Sequence, residues 1–347
     1  MNPAAPYTQS TLTLAEVADR LRNAGGPILV LTHAKPDGDA FGSVIALVSA
    51  LQALGHTARG VFVPPVPDAL AHLPGANLAD VWHDGYAPPF DPALCVVVDT
   101  GAWSQVGPLD AVLRPRLDRT LLIDHHLSGG IEAQHRHVVG DAAATCEILA
   151  DLIDLLSPGK TPESTVGHFP GVVRDALFVG IASDTGWFRF SNVRPETHEL
   201  AARLIRQGTD HATLYQKLEQ AERPEKLALL TRALQNLTVH ADGRAALITL
   251  RHQDFLDTGA LPEETERLID TPQIVGSLQV FVVVTETPEG TARLSFRSKH
   301  APDDTAVDVA ALANRFGGGG HARAAGAKVD RPLADVVADV IAALNAL

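Results

Sequence analysis

Short apolar runs alternate with segments of helical periodicity over the first 190 residues of this 347-residue chain. The runs at residues 28–31, 58–63, 94–98 and 120–123 have the length of strands. The runs at 94–98 and 120–123 are continuous rather than alternating, which is typical of parallel strands that are buried on both faces. Thr13 and Glu16 form a capping box that opens the first helix. Further helices are predicted at residues 42–54, 144–156 and 171–183, and a polar, proline-bearing insertion at 157–170. This alternation predicts an α/β fold with a doubly wound, mainly parallel sheet.

The second half has a different pattern. Charged helical segments at 195–208 and 212–237 precede two predicted hairpins, one at 237–250 around Asp242-Gly243 and one that joins 278–285 to 291–297. Helices are predicted at 307–315 and 333–344. We therefore expect a metal-binding catalytic domain over residues 1–205, a helical linker over 206–235 and a smaller α+β, substrate-binding domain over 236–347.

Composition narrows the class of protein. Hydrophobic residues make up 46% of the chain and charged residues 20%, as in a well-packed globular protein. No apolar stretch is long enough to span a membrane, and the N-terminus lacks a basic region followed by an apolar core. Cys95 and Cys146 have no CxxC spacing and are expected to be buried free thiols, which favours the cytoplasm. The net charge of −13 argues against a broad surface for long duplex nucleic acid.

Acids and histidines stand directly after the apolar runs. They are His33, Asp37 and Asp39 in THAKPDGDAFGS, Asp99 after VVV, Asp124, His125 and His126 in LLIDHH, and Asp184 at the end of a predicted helix. A single Asp after a strand is more often a helix cap or a turn residue. Because the carboxyl ends of parallel strands line one crevice, four such segments together favour a ligand site.

The types of side chain indicate which metal this site would hold. Carboxylates and imidazoles without thiolates suit Mn²⁺, Mg²⁺ or Zn²⁺, and the number of carboxylates favours Mn²⁺, with Mg²⁺ or Co²⁺ as alternatives. Asp37 and Asp39 are two residues apart in an extended turn and can face different ions. The number of ligands therefore favours two metal ions, an arrangement suited to in-line displacement at phosphorus.

A second informative stretch is the glycine run 317–320, which is followed by His321 and Arg323. Glycines let a backbone approach a ligand closely and turn its amides towards an anion, although most glycine runs are linkers. Arg297 ends a preceding strand, and residues 297–328 carry five Lys or Arg against three Asp. This local positive balance in an acidic chain favours an anion site.

The order THAKPDGDAFGS, VVVD, DHH, SDTGWF, SFRS and GGGGH resembles the DHH phosphoesterases with a DHH-associated C-terminal domain, in particular their nanoRNase and pAp-phosphatase (RecJ-like) branch. The resemblance implies that His33 and Asp37 bind one Mn²⁺ and that Asp39, His125 and Asp184 bind the other, with Asp99 as the bridge. It implies that His126 contacts the scissile phosphate, which makes His126 and Asp99 the catalytic residues. The substrate-binding residues that it implies are Arg297, Ser298, Gly318, Gly319, His321 and Arg323, although family members often carry Lys or Asn at the position of Arg323. Asp124 is interpreted as orienting a histidine.

The function implied is an Mn²⁺-dependent hydrolase of short RNA oligonucleotides and of 3′-phosphoadenosine 5′-phosphate (pAp), compatible with a homodimer. The alternatives are a phosphodiesterase for cyclic di-AMP or its linear product, an inorganic pyrophosphatase, and a non-catalytic nucleotide sensor on the same fold. The GGGGH stretch argues against a pyrophosphatase, because pyrophosphate needs no nucleoside platform. The intact set of acids and histidines argues against a sensor.

Overall fold

The computed structural model describes residues 7–156, 169–265, 267–299 and 306–347, so most of the insertion predicted at 157–170 lies outside the described residues. The chain divides into two compact units, Met1–Ala221 and Glu222–Leu347. The boundary falls inside the segment 206–235. Each unit has hydrophobic cores of its own.

The N-terminal unit is built on a six-stranded parallel sheet with the strand order β3-β2-β1-β4-β5-β6. Its strands are β1 (Ile28–Ala34), β2 (Ala58–Val63), β3 (Ala79–Val81), β4 (Leu94–Val98), β5 (Thr120–Asp124) and β6 (His135–Val138). Its helices are α1 (Leu14–Arg22), α2 (Gly38–Ala53), α3 (Asp68–Ala71), α4 (Trp103–Val106), α5 (Asp110–Leu113), α6 (Thr145–Leu156), α7 (Gly171–Asp184), α8 (Pro195–Arg206) and α9 (His211–Glu219). One face of the sheet packs on α1, α2, α6 and α7, and the other on α4 and α5. The predicted doubly wound α/β fold is confirmed.

The strand order places a crevice beside two of the predicted ligand segments. The chain winds outwards from β1 in one direction and from β4 in the other, so the order reverses between these two neighbours. Ligands bind at the carboxyl ends of strands at such a switch point. His33 is the penultimate residue of β1, and Asp99 directly follows β4.

Two helix boundaries differ from the prediction. Helix α2 begins at Gly38 rather than at residue 42, because the Asp37 carboxylate accepts hydrogen bonds from the backbone N–H groups of Asp39 and Ala40 and caps the helix. The helix predicted over 212–237 is two helices, with α10 beginning at Pro224. Proline is favoured at the first helical position and disfavours helical geometry in the residue before it, so the break falls there.

The C-terminal unit contains a mixed six-stranded sheet with the order β11-β12-β10-β9-β8-β7, antiparallel except for the β8–β9 pair. Its strands are β7 (Leu237–His240), β8 (Ala245–Leu250), β9 (Val280–Glu286), β10 (Ala292–Ser298), β11 (Gly319–His321) and β12 (Ala324–Val329). Its helices are α10 (Pro224–Gln235), α11 (His252–Thr258), α12 (Val309–Asn314) and α13 (Leu333–Leu344). Helices α12 and α13 pack on one face, and α10 and α11 on the other. Both predicted hairpins are confirmed.

The structure also tests the predictions for the two cysteines and for the glycine run. Cys95 and Cys146 are buried free thiols, as predicted. The predicted glycine loop is irregular only at its start, since Gly319–His321 forms the edge strand β11. None of the helices in the described ranges is long and apolar enough to cross a membrane.

Candidate metal centre

The predicted ligands converge at the carboxyl edge of the parallel sheet in three sets. In each set the candidate ligand atoms lie within 4.8 Å of one another: His33, Asp37 and Asp99; Asp39, His125 and Asp184; and Asp99, His125 and His126. Asp99 Oδ2 lies 3.5 Å from His33 Nε2, and Asp99 Oδ1 lies 3.6 Å from His125 Nε2. The two oxygens of one buried carboxylate therefore face two different sets, as a bridging ligand requires.

Backbone carbonyls fix the orientation of both histidine rings. His33 Nδ1 lies 3.0 Å from the Ala34 carbonyl oxygen, and His125 Nδ1 lies 3.2 Å from that of Ala142. Because a carbonyl only accepts, each Nδ1 carries the proton and each Nε2 is left to ligate. His125 Nε2 is buried and lies 3.2 Å from Asp184 Oδ2, yet it has a hydrogen-bond partner nowhere in the described residues. A buried ring nitrogen that faces carboxylates without a well-formed hydrogen bond fits a bound cation.

The Asp39 carboxylate is held by the start of helix α6. It is fully buried, and it accepts hydrogen bonds from the backbone N–H groups of Thr145 at 2.6 Å and Cys146 at 2.9 Å. The first turn of a helix stabilises a negative charge through its free N–H groups and its dipole. A Cβ atom at Gly180 would lie 2.7 Å from Asp39 Oδ1, so this glycine leaves the space that the carboxylate occupies.

The charges of the cluster repel one another unless cations separate them. Burial and the nearby Asp99 and Asp184 carboxylates raise the pKa of Asp39 well above its usual range, and burial likewise raises the pKa of Asp99. Burial lowers the pKa of His33 and His125, but the neighbouring carboxylates outweigh it and raise these pKa values to about 11 and about 10. Protons therefore compensate the carboxylates in the absence of metal. Divalent cations would replace these protons, so the residues fit a metal site.

Left-handed backbone conformations cluster beside the ligand segments. Lys35 and Asp99 have φ values of 57° and 61°, and Trp187 and Phe188, which follow Asp184, have 58° and 63°. Such conformations cost non-glycine residues on the order of 1–3 kcal/mol and concentrate at functional sites. Four of them next to three ligand segments support a functional role for this edge of the sheet.

A chain of hydrogen bonds holds His126 beside the metal ligands. The buried Asp124 Oδ1 lies 2.8 Å from His126 Nδ1, and Asp124 Oδ2 accepts a hydrogen bond of 2.5 Å from the Tyr7 hydroxyl. Burial raises the pKa of Asp124, but these hydrogen bonds outweigh it and hold the pKa below its usual range. The hydrogen bond to Asp124 raises the pKa of His126. With Nδ1 engaged, Nε2 is the second nitrogen of a side chain that is 47% exposed.

The C-terminal unit brings some of the predicted substrate residues together. Arg297 on β10 lies directly opposite Ala324 on β12, which lies directly opposite His321 on β11. Residues that are directly opposite project from the same face of a sheet. Arg297 and His321 therefore stand on one face with a small alanine between them, two strands or about 9.6 Å apart.

The comparisons with known proteins agree with this geometry. Residues 27–181 match the DHH family N-terminal domain, and residues 247–347 match the DHHA1 domain. The bifunctional oligoribonuclease and PAP phosphatase NrnA of Thermus thermophilus is 32% identical over 338 residues, which cover 94% of this chain and 91% of that protein. This chain belongs to the DHH phosphoesterase family. The resemblance inferred from the motifs is confirmed, and the chain is a metal-dependent hydrolase of that family.

Two further proteins are similar to this DHH phosphoesterase over nearly its whole length. NrnA of Bacillus subtilis, another bifunctional oligoribonuclease and PAP phosphatase, is 25% identical and covers 89% of this chain and 93% of its own length. The crystal structure of an exopolyphosphatase-related protein from Bacteroides fragilis superposes with a TM-score of 0.85 at 21% identity, and the match covers 96% of both chains. At that identity the superposition shows a shared fold.

Other predicted substrate residues of this DHH phosphoesterase have structural partners. Ser298 is buried, on the sheet face opposite to that of Arg297, and its hydroxyl donates to the Ala322 carbonyl at 3.4 Å. The N–H groups of Gly317 and Gly318 donate to the carbonyls at the end of α12, so they do not point to an anion. A Cβ atom at Gly318 would lie 2.1 Å from the Gly326 carbonyl oxygen. Close packing of the backbone against β12 therefore accounts for this glycine. Gly319 lies on the face of Arg297, and Arg323 is exposed in the turn before β12.

Tyr7 is the residue at this site that the sequence analysis missed. Its ring occupies the space above Gly101 and Gly129, where added Cβ atoms would lie 1.9 Å and 2.3 Å from the ring or its hydroxyl. No motif marks a tyrosine that is 117 residues away from its aspartate. Ser128-Gly129-Gly130 indicates a loop, but nothing in either glycine segment indicates that a tyrosine ring packs on it.

Proposed function

We propose that this DHH phosphoesterase is an Mn²⁺-dependent hydrolase of RNA fragments of a few nucleotides and of pAp. The observation that carries the proposal is the Asp99 carboxylate, whose Oδ2 lies 3.5 Å from His33 Nε2 and whose Oδ1 lies 3.6 Å from His125 Nε2, because a carboxylate shared in this way suits two ions acting on one phosphoryl group. The two NrnA relatives, which carry the names of both activities, support the substrate class.

In this proposal His33 and Asp37 would hold one cation, Asp39, His125 and Asp184 would hold the other, and Asp99 would serve both. When bound, two such cations polarise the phosphoryl oxygens and lower the pKa of water. Oxygen and imidazole ligands without thiolates favour Mn²⁺, with Mg²⁺ or Co²⁺ as alternatives.

His126 has the role of binding the phosphoryl group. Asp124 accepts from Nδ1–H and raises the pKa of the ring, which favours the form in which Nε2–H can donate to a phosphoryl oxygen as negative charge develops. Tyr7 keeps the Asp124 carboxylate in place. This arrangement orients a donor before the substrate arrives and so reduces the cost of reorganisation.

Arg297 and His321 have the role of binding a second phosphate of the nucleotide. A guanidinium can hold a phosphate through two parallel hydrogen bonds, and the alanine between the two side chains leaves room for the anion. Gly319 lies on the same face, and Arg323 is close to it in sequence. Ser298 and Gly318 support the local backbone.

The test is a substrate panel with Mn²⁺ that contains pAp, cyclic di-AMP, pyrophosphate and RNAs of two to twenty-four nucleotides. We expect the shortest RNAs and pAp to be hydrolysed, and cyclic di-AMP and pyrophosphate to persist. Preferred turnover of cyclic di-AMP or pyrophosphate would replace the proposed substrate. Tight nucleotide binding without any turnover would leave a sensor as the function.

A further inference from the structure

A groove of about 740 Å³ lies within the C-terminal unit, between the segment that contains α11 and the sheet face that carries Arg297. Its volume falls in the range of about 300–1,000 Å³ that is typical of ligand sites. Its floor includes Arg293, Ser295 and Arg297 from β10 and Lys328 from β12, and its apolar side includes Leu256, which is 61% exposed. A groove lined by both apolar and cationic side chains suits a ligand with an apolar part and a negative charge.

Two positive charges meet at the far end of this floor. Arg293 lies directly opposite Lys328 in the antiparallel pair of β10 and β12, and both side chains are exposed. Within the described residues neither side chain forms an ion pair within 4 Å or a side-chain hydrogen bond. Like charges directly opposite each other destabilise a sheet. A bound anion would relieve this repulsion.

The acids of the groove have other hydrogen-bond partners and form no ion pair within 4 Å with Arg293 or Lys328 in the part of the chain that the structure describes. The Glu286 carboxylate accepts a hydrogen bond of 2.9 Å from the backbone N–H of His252. Glu289 is fully exposed, and the hydrogen bond with Thr287, more than the charge of Lys328, holds its pKa below its usual range. Arg267, the other cation of the groove, lies 3.9 Å from Asp270. The Arg293–Lys328 pair therefore remains the exposed positive end of the groove.

The spacing along β10 separates this pair from Arg297. Arg293 and Arg297 are four residues apart on one face, and a strand rises about 3.3 Å per residue, so their Cα atoms are about 13 Å apart. One phosphate group cannot be held at both positions. Two phosphates of one chain can, with Ser295 and the small residue Gly326 between them.

We propose that Arg293 and Lys328 form a subsite for an additional phosphate of an oligonucleotide that Arg297 already holds; this rests on the proposed function. The number of phosphates in a substrate determines whether it is long enough to reach this subsite. pAp and a 5′-phosphorylated dinucleotide have two phosphate groups, one at the scissile position and one for Arg297. A 5′-phosphorylated trinucleotide has a third, and this phosphate occupies the subsite.

The experiment compares the full-length wild type with the double variant Arg293→Ala/Lys328→Ala. The control is Arg315→Ala, which removes a positive charge at the end of α12, a helix that packs on the opposite face of the sheet. KM and kcat are measured with Mn²⁺ for pAp and for 5′-phosphorylated RNAs of two, three and four nucleotides. We expect KM of the double variant to rise about tenfold for three and four nucleotides, in line with the loss of a charge-assisted contact. We expect a change of less than twofold for the two smaller substrates and for the control.

The salt dependence of KM for the trinucleotide gives a second readout. A single-stranded phosphate contact contributes about 0.7 to the slope of log affinity against log salt, so the double variant should lose about that much. An equal KM for wild type and double variant at every length, or a rise that is equal for all lengths, would overturn the subsite.

Failure of the proposed function gives a different result. If the wild type hydrolyses none of these RNAs, the proposed activity is wrong. The subsite is then judged by fluorescence anisotropy, with a labelled 5′-phosphorylated trinucleotide and the full-length chain. The subsite is supported if the double variant binds about tenfold more weakly than the wild type while Arg315→Ala binds as the wild type does. Equal binding by all three proteins refutes the subsite.

Discussion

Asp99→Asn tests whether one carboxylate serves two ions. The substitution suits the backbone, because Asp99 has a left-handed φ of 61° and asparagine tolerates this region where alanine would add strain. The asparagine oxygen can also keep the hydrogen bond of 3.0 Å from the Thr145 hydroxyl. The variant therefore removes the negative charge while it preserves the local structure.

The expected magnitude follows from linkage. A ligand at 100 times its Kd stabilises a folded protein by about 2.7 kcal/mol, so two ions contribute about 5.4 kcal/mol. In a unit of the size of Met1–Ala221, each kcal/mol shifts Tm by about 2–4 °C. Saturating Mn²⁺ should therefore raise the Tm of the wild type by about 11–22 °C. Asp99→Asn should lose more than half of that rise, because both ions lose a ligand.

The assay combines calorimetry with kinetics. Without metal, Asp99→Asn should be at least as stable as the wild type, because it removes a charge whose pKa burial already raises. With Mn²⁺, its kcat should fall about a hundredfold or more, since the loss of metal-centred stabilisation costs several kcal/mol and each ~1.4 kcal/mol is a factor of ten. A folded variant with the full Mn²⁺ shift in Tm and more than about a tenth of the wild-type kcat would remove Asp99 from the bridge.

Three further predictions concern protons, a hydroxyl and a glycine. Mn²⁺ affinity should rise about tenfold per pH unit from pH 6.5 to 8.5, because the raised pKa values of His33 and His125 keep both rings protonated until a cation displaces the proton. Calorimetry in two buffers of different ionisation enthalpy would show this proton release. A pH-independent affinity would contradict the prediction. Tyr7→Phe should lower kcat about two- to tenfold at constant KM, as expected for the loss of one net hydrogen bond. The control Tyr86→Phe also loses a hydrogen bond to an aspartate but should leave kcat unchanged. Equal kinetics in both variants would refute the role of Tyr7. Gly318→Ala should lower the free energy of unfolding by about 1–3 kcal/mol. The control Gly276→Ala, whose Cβ atom would meet nothing within 4 Å, should not lower it. Equal denaturant midpoints for the two variants would show that β12 can move aside.

The parallel sheet was predictable because its central strands are buried on both faces. Residues 94–98 are an uninterrupted apolar run, residues 58–63 are apolar except for Arg59 and Gly60, and the structure has strands with these bounds. The edge strands β3 and β6 were not predicted. They contain three and four residues, and β6 has the polar sequence HRHV, so hydrophobicity gave no signal there.

The convergence of the metal ligands was predictable for a similar reason, since topology brings the ends of parallel strands together. The sequence did not indicate how Asp37 is used, because this residue caps helix α2 and also faces His33, with its Oδ1 3.8 Å from His33 Nε2. A cap was the usual interpretation of such a residue, and a ligand was the alternative. The structure shows the cap, and the ligand role of the same carboxylate, which lies beside His33, stays a prediction.

The charge of the chain bears on the length of its substrates. A protein that binds long duplex nucleic acid neutralises many phosphates and needs an extended positive surface, which a net charge of −13 opposes. Here the cations of the groove occupy one face of a small sheet, with Arg297 at one end and Arg293 and Lys328 at the other. At about 0.7 per contact, two phosphate contacts give a salt slope near 1.4, far below that of proteins with six to ten contacts. Such a surface holds a few phosphates and gains nothing from the rest of a long chain, so affinity should level off at three or four nucleotides.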